Sequence, residues 1–308
     1  MAAIEVMRLS KQFGRTVALN ELSFQVEAGA VYALVGANGA GKTTLIKVLM
    51  NIAHATGGKA MVLGQNSDGL SGKSFCEIGY VSENQEMADW TTVGGMLDYF
   101  RAFYPTWDKE LERKLVRQFD LPLKRKLKQL SRGMRMKAAF VSSLAYRPKL
   151  VMLDEPLSGL DPFVRDELVA CLKEQAGEAT VFLSSHDLSE IESFASHVGF
   201  LDSGRMLFSE SMVSLMGRFR EVTVVVEEGA SIPSAAGWLN VARVGGEMRF
   251  VHSAFESEVS EAEVRAAIPT AGEIRFAPMP LRSIFLAISR NSRADRMREE
   301  DAREGTAA

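Results

Sequence analysis

The stretch Gly36-Ala37-Asn38-Gly39-Ala40-Gly41-Lys42-Thr43-Thr44 decides the fold of this chain. It matches the phosphate-binding pattern G-x-x-x-x-G-K-[ST] at every fixed position. Glycines let the backbone N–H groups of such a loop turn toward phosphate oxygens, and Lys42 adds a full positive charge. Thr43 carries the hydroxyl that ligates magnesium in this pattern. The stretch therefore predicts a nucleotide site.

The residues on either side of this loop follow the order that phosphate binding requires. Residues 30–35 form a short apolar run that is typical of a buried strand. From Lys42 to Ile52, apolar residues recur at helical spacing. A strand, a loop and a helix N-terminus in this order direct partial positive charge toward the phosphates. The alternative is a glycine-rich turn that only links a strand to a helix.

Composition limits the class of protein. A length of 308 residues with 46% apolar composition allows one large or two ordinary domains with a sizeable core. The net charge of -3 argues against a nucleic-acid partner held by bulk electrostatics. Cys76 and Cys171 form neither a disulfide framework nor a zinc pattern, which fits a reducing cytosol. We expect no signal peptide and no membrane span, so any membrane contact must come through a partner.

The order of predicted elements divides the chain into regions. Alternating apolar runs before the loop predict antiparallel strands, and apolar strands at 150–153 and 179–183 predict a mainly parallel sheet. We expect a nucleotide-binding domain over residues 1–217, with a helical subdomain over about 86–146. A small α+β accessory domain is expected over 218–290, and a disordered tail over 291–308.

Asp154 and Glu155 end the apolar run at 150–153. In a nucleotide hydrolase, a carboxylate at such a strand end lies near magnesium, and a second one lies near an attacking water. We therefore predict that Asp154 binds the metal and that Glu155 is catalytic. Two adjacent carboxylates could instead belong to an ordinary solvated turn.

At this point the chain resembles the ATP-binding subunits of ABC transporters, over residues about 4–215. Besides the two nucleotide motifs, the segment Leu130-Ser131-Arg132-Gly133-Met134 stands where the family has its signature, although Arg132 and Met134 depart from the commonest form. The resemblance implies that Ser131 and Gly133 contact ATP held by another subunit. From the residues alone, Ser131 is an N-cap hydroxyl at a helix start, which needs no nucleotide.

Three further residues gain a role from the resemblance. Ser158-Gly159-Leu160-Asp161 resembles the family's D-loop, which assigns Asp161 to the nucleotide site. His186 stands where the family places its catalytic switch histidine, whereas the residues alone favour a hydrogen-bonding group at a strand end. Phe13 resembles the aromatic residue that stacks on adenine, and its alternative is a core aromatic beside a turn.

The family's glutamine loop has two candidates in this chain. Direct alignment puts Glu83 at the glutamine's position, and Gln85 follows two residues later. Either could sense magnesium and water, and the sequence does not choose between them. Between Lys124 and Lys137 lie seven basic residues, for which a solvated helical face is the default explanation. The alternative is that Arg132 and Arg135 attract triphosphate across a dimer interface.

An aromatic cluster follows the glutamine-loop candidates. Its members are Trp90, Tyr99, Phe100, Phe103, Tyr104 and Trp107. Most should pack inside the helical subdomain. The resemblance implies that this subdomain also docks on a cytoplasmic helix of a membrane partner, and we expect some of these rings to remain exposed for that purpose.

The resemblance implies an α/β fold of the ABC-type P-loop NTPase class, with an antiparallel β subdomain, a helical subdomain and a small C-terminal α+β domain. It implies an ATP hydrolase that uses ATP and Mg²⁺ and closes as a homodimer, or as a heterodimer with another ATP-binding subunit. The partner would be an integral membrane permease, which places the chain peripherally at the cytoplasmic face of the membrane. Segments 79–83, 130–137 and 280–285 are similar to bacterial export-type subunits of the antibiotic and multidrug group.

A different class remains as an alternative, a soluble ABC ATPase that acts on ribosomes or DNA without a membrane subunit. Ribosome-associated members usually carry two cassettes, and the sequence has no second phosphate-loop pattern. DNA-associated members insert coiled coils or zinc modules, yet only about 110 residues separate Lys42 from Asp154, without heptads. We expect no nucleic-acid partner. A nucleotide switch without turnover is disfavoured by the presence of Glu155.

Overall fold

The computed structural model describes residues 2–83, 85–227, 233 and 235–292. The chain divides into two compact units, Met1–Ser209 and Glu210–Ala308. The division falls eight residues before the predicted boundary at 217/218, since the helix that precedes that boundary belongs to the second unit. Of the predicted tail over 291–308, residues 293–308 lie outside the described part. Residues 291 and 292 end a helical segment that begins at residue 281.

A six-stranded sheet forms the centre of the first unit, in the order β10-β9-β3-β8-β7-β6. The strands are β3 (Val31–Val35), β6 (Ile78–Ser82), β7 (Leu150–Asp154), β8 (Thr180–Ser185), β9 (His197–Asp202) and β10 (Arg205–Ser211). The pairs β3–β8, β3–β9, β6–β7 and β7–β8 are parallel, which confirms the predicted mainly parallel sheet. Every residue of β3, β7 and β8 is buried, as expected for strands covered on both faces.

A second sheet in this unit is antiparallel in all its recorded pairings, in the order β2-β1-β4-β5. Its strands are β1 (Ala2–Phe13), β2 (Thr16–Glu27), β4 (Gly57–Val62) and β5 (Gln65–Asn66). Alternate residues of β2 point into a core shared with the central sheet. There the ring of Phe24 stacks on Tyr32 at 5.7 Å, and Tyr32 stacks on Phe182 at 5.5 Å. The predicted strands before the phosphate loop are therefore confirmed.

Seven α-helices are described in the first unit. They are α1 (Lys42–Leu49), α2 (Gly72–Phe75), α3 (Val93–Arg101), α4 (Lys109–Gln118), α5 (Arg132–Leu144), α6 (Pro162–Gln175) and α7 (Leu188–Ile191), with short 3₁₀ turns at Ser67–Gly69 and Leu127–Gln129. Helices α3 to α5 occupy the predicted helical region. Helical spacing of apolar residues predicts a helix over 93–104, but α3 ends at Arg101, ahead of Pro105, which disfavours helical backbone at Tyr104.

The second unit holds a four-stranded sheet in the order β12-β13-β11-β14, with its recorded pairings antiparallel. Its elements are α8 (Met212–Arg218), β11 (Arg220–Val225), β12 (Trp238–Val244), β13 (Glu247–His252), α9 (Ser260–Ala267), β14 (Ile274–Pro278) and the helical residues 281–292. The core joins one face of the sheet to α9, with Trp238 stacked on Phe250 at 3.9 Å. Sequence reasoning missed α8, β14 and the segment 281–292, whose apolar patterns are short.

Candidate nucleotide site

The phosphate loop joins the end of β3 to the start of α1, as the sequence predicts. Gly41 is the N-cap of α1 and has φ 109°, where a Cβ atom would lie 2.6 Å from the carbonyl oxygen of Ala18. Glycine is therefore required there by both conformation and space. No described side chain caps α1, so its first N–H groups are left to the loop's ligand. Ala37, Asn38, Gly39 and Ala40 form the turn, which a bond from Ala40 N to Ala37 O closes.

Lys42 connects this loop to the end of β7. Its side chain is only 5% exposed, and Nζ donates to the carbonyl oxygens of Gly36 at 2.7 Å and Ala37 at 3.2 Å. Nζ also lies 3.0 Å from Oε1 of Glu155, an ion pair without hydrogen-bond alignment. The structure thus brings the predicted cation and the predicted catalytic carboxylate together.

Asp154 is held by two hydroxyl groups. Thr43 Oγ1 donates to Asp154 Oδ1 at 3.1 Å, and Ser184 Oγ donates to the same oxygen at 2.8 Å. Ser184 Oγ in turn accepts the backbone N–H of Glu155 at 2.9 Å. Sequence reasoning missed Ser184 as a site residue. The available signal was a serine directly after the apolar run 179–183, because a hydroxyl at the end of a buried strand needs a partner.

Glu155 bridges the loop lysine and the switch histidine. Its backbone has φ +50°, a left-handed conformation that costs a non-glycine residue about 1–3 kcal/mol and is concentrated at functional sites. One carboxylate oxygen faces Lys42, and the other lies 2.7 Å from Nδ1 of His186. His186 is therefore a hydrogen-bonding group at a strand end and also a direct neighbour of the predicted catalytic carboxylate.

The helices that follow the D-loop and the switch histidine are joined by a partly buried ion pair. Glu190 of α7 is 6% exposed and lies 2.7 Å from Nε of Arg165 in α6. Burial raises the pKa of Glu190 to about 7, although Arg165 acts in the opposite direction. Asp187 caps α7, and the hydroxyl of Ser189 lowers the pKa of Asp187 by donating to it. Sequence reasoning identified neither Arg165 nor Glu190.

The signature segment begins a helix, as predicted. Ser131 is exposed and caps α5 by accepting the N–H of Met134 at 3.2 Å. Gly133 is buried, and a Cβ atom there would lie 3.0 Å from Val164 of α6, so close packing of the two helices explains this glycine. Asp161 caps α6 by accepting the N–H groups of Phe163 and Val164, each at 3.1 Å.

Both glutamine-loop candidates lie beside the end of β6. The N–H of Glu83 donates to the carbonyl oxygen of Asp154 at 2.8 Å, and the Glu83 carboxylate pairs with Arg132. Oε1 of Gln85 is buried and has no hydrogen-bond partner among the described residues. That one of these two residues, Glu83 or Gln85, senses magnesium stays a prediction.

The remaining predicted site residues are either partly exposed to solvent or paired with another residue of the chain. Phe13 is 52% exposed, with Nζ of Lys11 4.7 Å from its ring centre, so the interpretation of Phe13 as a core aromatic is wrong. Thr44 is half-buried in the first turn of α1. Arg132 and Arg135 each pair with an acidic residue of the same chain, Glu83 at 2.8 Å and Asp89 at 3.1 Å.

The oxygen donors at this site fit Mg²⁺. Thr43 and Asp154 offer a hydroxyl and a carboxylate 3.1 Å apart, and magnesium is usually held by one or two carboxylates together with substrate phosphates and water. In the part of the chain that the structure describes, no group of three or more His, Cys, Asp or Glu side chains could form a complete metal site. Thr43 and Asp154 therefore suit a metal ion that the nucleotide helps to bind.

Known proteins are similar in sequence to this chain. Residues 19–158 match the family model described as ABC transporter. The bacitracin transport ATP-binding protein BcrA of Enterococcus faecalis is 31% identical over 71% of this chain and 73% of its own length. This chain belongs to the ABC transporter ATP-binding family. The predicted family is confirmed, and the predicted enzyme class, an ABC-type ATP hydrolase, is that of the family.

Other relatives of this ABC ATP-binding chain match it over different shares of their own length. The ABC transporter ATP-binding protein YtrB of Bacillus subtilis is 28% identical over 66% of this chain and 70% of its own length. An uncharacterised ABC transporter ATP-binding protein of Synechocystis is 34% identical over 68% of this chain. That match spans only 61% of the Synechocystis protein, less than two thirds of its length.

Solved structures confirm the fold of the ABC ATP-binding chain. An ATP-binding subunit of an ABC transporter superposes with a TM-score of 0.65 at 27% identity, covering 70% of this chain and 92% of that one. A dimeric ATP-binding cassette in a post-hydrolysis state with ADP and Pi has a TM-score of 0.61 at 19% identity, covering 68% and 98%. Within the described residues, no helix has the length and apolar character needed to cross a bilayer.

Proposed function

We propose that this chain binds ATP with Mg²⁺, hydrolyses it, and thereby powers a separately encoded membrane subunit. The observation that carries the proposal is the convergence of Lys42, Asp154 and Glu155 at the carboxyl ends of β3 and β7, joined by contacts of 3.0 and 3.1 Å through Lys42 and Thr43. In open α/β sheets, ligands bind at this end of the strands.

Each residue has a distinct part in the proposed hydrolysis. Lys42 and the free N–H groups of α1 bind the nucleotide phosphates. Thr43 and Asp154 would hold magnesium, which supplies charge neutralisation between the phosphates. Glu155 accepts a proton from the attacking water or orients it, and the bond to His186 fixes the carboxylate in position. Ser184 holds the Asp154 carboxylate and the backbone of Glu155 in position by bonding both.

A second subunit completes the site in this proposal. The chain carries one phosphate loop and one signature, and Ser131 is exposed at the start of α5. A second copy, or another ATP-binding subunit, would receive Ser131 and Gly133 against its nucleotide, while Phe13 stacks on the adenine and Asp161 lies at the interface. ATP stabilises the closed pair by differential binding, and hydrolysis reopens it.

The membrane subunit is proposed to dock on an apolar groove of the helical subdomain. The groove has a volume of about 330 Å³, and its lining includes Gln85, Trp90, Tyr99 and Phe100. Trp90 is 81% exposed and Tyr99 is 63% exposed, as expected for rings that a partner covers. Docking there would hold the chain at the cytoplasmic face of the membrane.

The proposed cargo class rests on relatives. Their printed names include bacitracin transport in Enterococcus faecalis and lantibiotic transport in Streptococcus pyogenes, the latter 30% identical over 67% of this chain. We therefore place this chain with an exporter of antibiotic, drug or lipid-like cargo.

The proposed hydrolysis is tested with Glu155→Gln, which keeps the shape of the side chain and removes its charge. We expect the purified variant to run as a dimer in size-exclusion chromatography with ATP and magnesium, and as a monomer without them. The wild type should hydrolyse ATP at least about 10²-fold faster than this variant. Glu27→Gln, an exposed carboxylate at the end of β2, is the matched control and should behave as wild type. A wild type without turnover would contradict the proposal.

The docking proposal is tested by co-expressing the chain with its candidate permease and purifying the complex. Trp90→Glu puts a charge into the groove and should abolish co-purification while ATP binding persists. Ile52→Glu, an exposed apolar residue after α1, is the control and should leave the complex intact. Equal recovery of both variants would refute docking at the groove.

A further inference from the structure

An ion pair joins the signature helix to the edge of the central sheet. Nη2 of Arg132 lies 2.8 Å from Oε1 of Glu83, across 49 residues of sequence. Arg132 is the first residue of α5, immediately after the cap Ser131. Glu83 immediately follows β6, and its N–H donates to the carbonyl oxygen of Asp154 at 2.8 Å. The pair therefore connects the start of α5 to the strand ends that carry the predicted metal ligand.

The D-loop lies against the same guanidinium. A Cβ atom on Gly159 would be 3.1 Å from Nη1 of Arg132 and 3.3 Å from its Cζ. Gly159 has φ +63°, so its backbone conformation also favours glycine. The side chain of Arg132 thus touches two segments that flank the nucleotide site, the end of β6 and the loop before α6.

Arg132 could act instead as a free cation for a triphosphate on another subunit. The geometry disfavours this role, because Glu83 at 2.8 Å offsets the positive charge. The side chains of Arg132 and Glu83 are 47% and 34% exposed, so the pair is screened by water and contributes modestly to stability. A modest contact can still set the orientation of a short segment such as the start of α5.

We propose that Arg132 and Glu83 form a positioning latch that fixes the first turn of α5, and with it Ser131, relative to Asp154 and Gly159. The significance of the latch rests on the proposed function, in which Ser131 serves the nucleotide of a second subunit. The contribution of Glu83 is then to orient α5 through Arg132, and both charges of the pair are needed for it.

The latch is tested first without nucleotide, by hydrogen–deuterium exchange of the amides of residues 133–136. Glu83→Gln and Arg132→Ala should each speed this exchange by about two- to fivefold, the range expected for an exposed ion pair. Arg132→Lys retains the charge and should stay near the wild-type rate. Arg135→Ala breaks the neighbouring pair with Asp89 on the same helix and is the matched control, which should leave the first turn unchanged.

A second measurement uses ATP-dependent dimerisation in the Glu155→Gln background. Arg132→Ala and Glu83→Gln should weaken the dimer by similar factors of about two to five, and the combined variant should be no weaker than either one. The charge exchange Glu83→Arg with Arg132→Glu should recover part of the loss. Thermal unfolding of each variant verifies that it folds.

Two results would overturn the latch. The first is wild-type exchange in both Glu83→Gln and Arg132→Ala. The second is a loss of dimerisation in Arg132→Ala that Glu83→Gln does not share, which would assign Arg132 to the nucleotide directly. A wild-type chain that neither dimerises nor hydrolyses ATP would remove the proposed function, while the exchange measurement would still decide whether the latch exists.

Discussion

The phosphate loop and the signature segment both lie at helix N-termini of the same unit, but their surroundings differ. Among the described residues no side chain caps helix α1, and Lys42, its first residue, is buried and bonded to two loop carbonyl oxygens. Helix α5 is capped by its own Ser131, which is exposed. The first site is held in place by contacts within the chain and has free donors for a ligand. At the second site, Ser131 already bonds a backbone N–H group of its own helix, and its side chain faces solvent.

This difference bears on which of the two segments needs a second subunit. Lys42, Thr43, Asp154, Ser184, Glu155 and His186 are joined by contacts of 2.7 to 3.1 Å. All of these contacts are made within one chain. Among the described residues, the Ser131 hydroxyl accepts the N–H of Met134, within the same turn, and in the proposed latch the Arg132–Glu83 pair orients this turn. The predictions that follow test how far the phosphate-loop site depends on its internal contacts.

The largest effect is expected from Lys42→Met, which keeps an unbranched side chain of nearly the same length and removes its charge. The phosphates lose their cation and Glu155 Oε1 loses its neighbour, so ATP hydrolysis should fall by at least about 10²–10³-fold. Steady-state ATPase measurements test this. Lys47→Met changes an exposed lysine of the same helix and should stay within about twofold of wild type. Normal turnover in Lys42→Met would show that this network is not the catalytic site.

A smaller effect, on stability, is expected from Ser184→Ala. The change leaves the N–H of Glu155 without its acceptor and removes one donor from Asp154, in a fully buried position. The free energy of unfolding in urea should fall by about 1–3 kcal/mol. Ser142→Ala is the control, because the buried Ser142 hydroxyl donates to the carbonyl oxygen of Ala139 in the same helix, and its loss should cost less than about 1 kcal/mol. Equal losses in the two variants would mean that Ser184 has no special place in the network.

The smallest effect is a pH dependence at Glu190. Its folded pKa of about 7 exceeds the ordinary value of 4.5, so between these values the folded protein binds a proton that the unfolded chain does not. Stability from this group is therefore present below about pH 4.5 and is lost as pH rises toward about 7. The slope should not exceed about 1.4 kcal/mol per pH unit. Glu190→Gln should remove this slope, as measured by urea unfolding at several pH values.

The charges that face Glu190 bear on the size of this effect. Arg165 favours its ionised form, and so does His186 when protonated, while Asp187 and Glu155 oppose it. Glu192→Gln, two residues further along and exposed, is the control and should keep the wild-type slope. If Glu190→Gln keeps that slope as well, the pH dependence belongs to another group.

The sequence predicted the residues that carry the chemistry better than those that hold them. Lys42, Thr43, Asp154 and Glu155 follow from motifs, since each motif encodes its own local backbone. Ser131 was recognisable as an N-cap for the same reason. Ser184 and the pairs Arg165–Glu190 and Arg132–Glu83 were missed because nothing local to these residues marks their partners.

By itself, the sequence determined the strand–loop–helix order around Lys42, the capped helix starts and the strand end at Asp154. These depend on side-chain periodicity and on local hydrogen bonds, which act over a few residues. Only the tertiary structure decided that Thr43 bonds Asp154 across 111 residues, and that Ser184 faces Asp154 through the register of β7 and β8. The physical reason is that such contacts depend on which strands pair and in what register, and the packing of the whole core sets both.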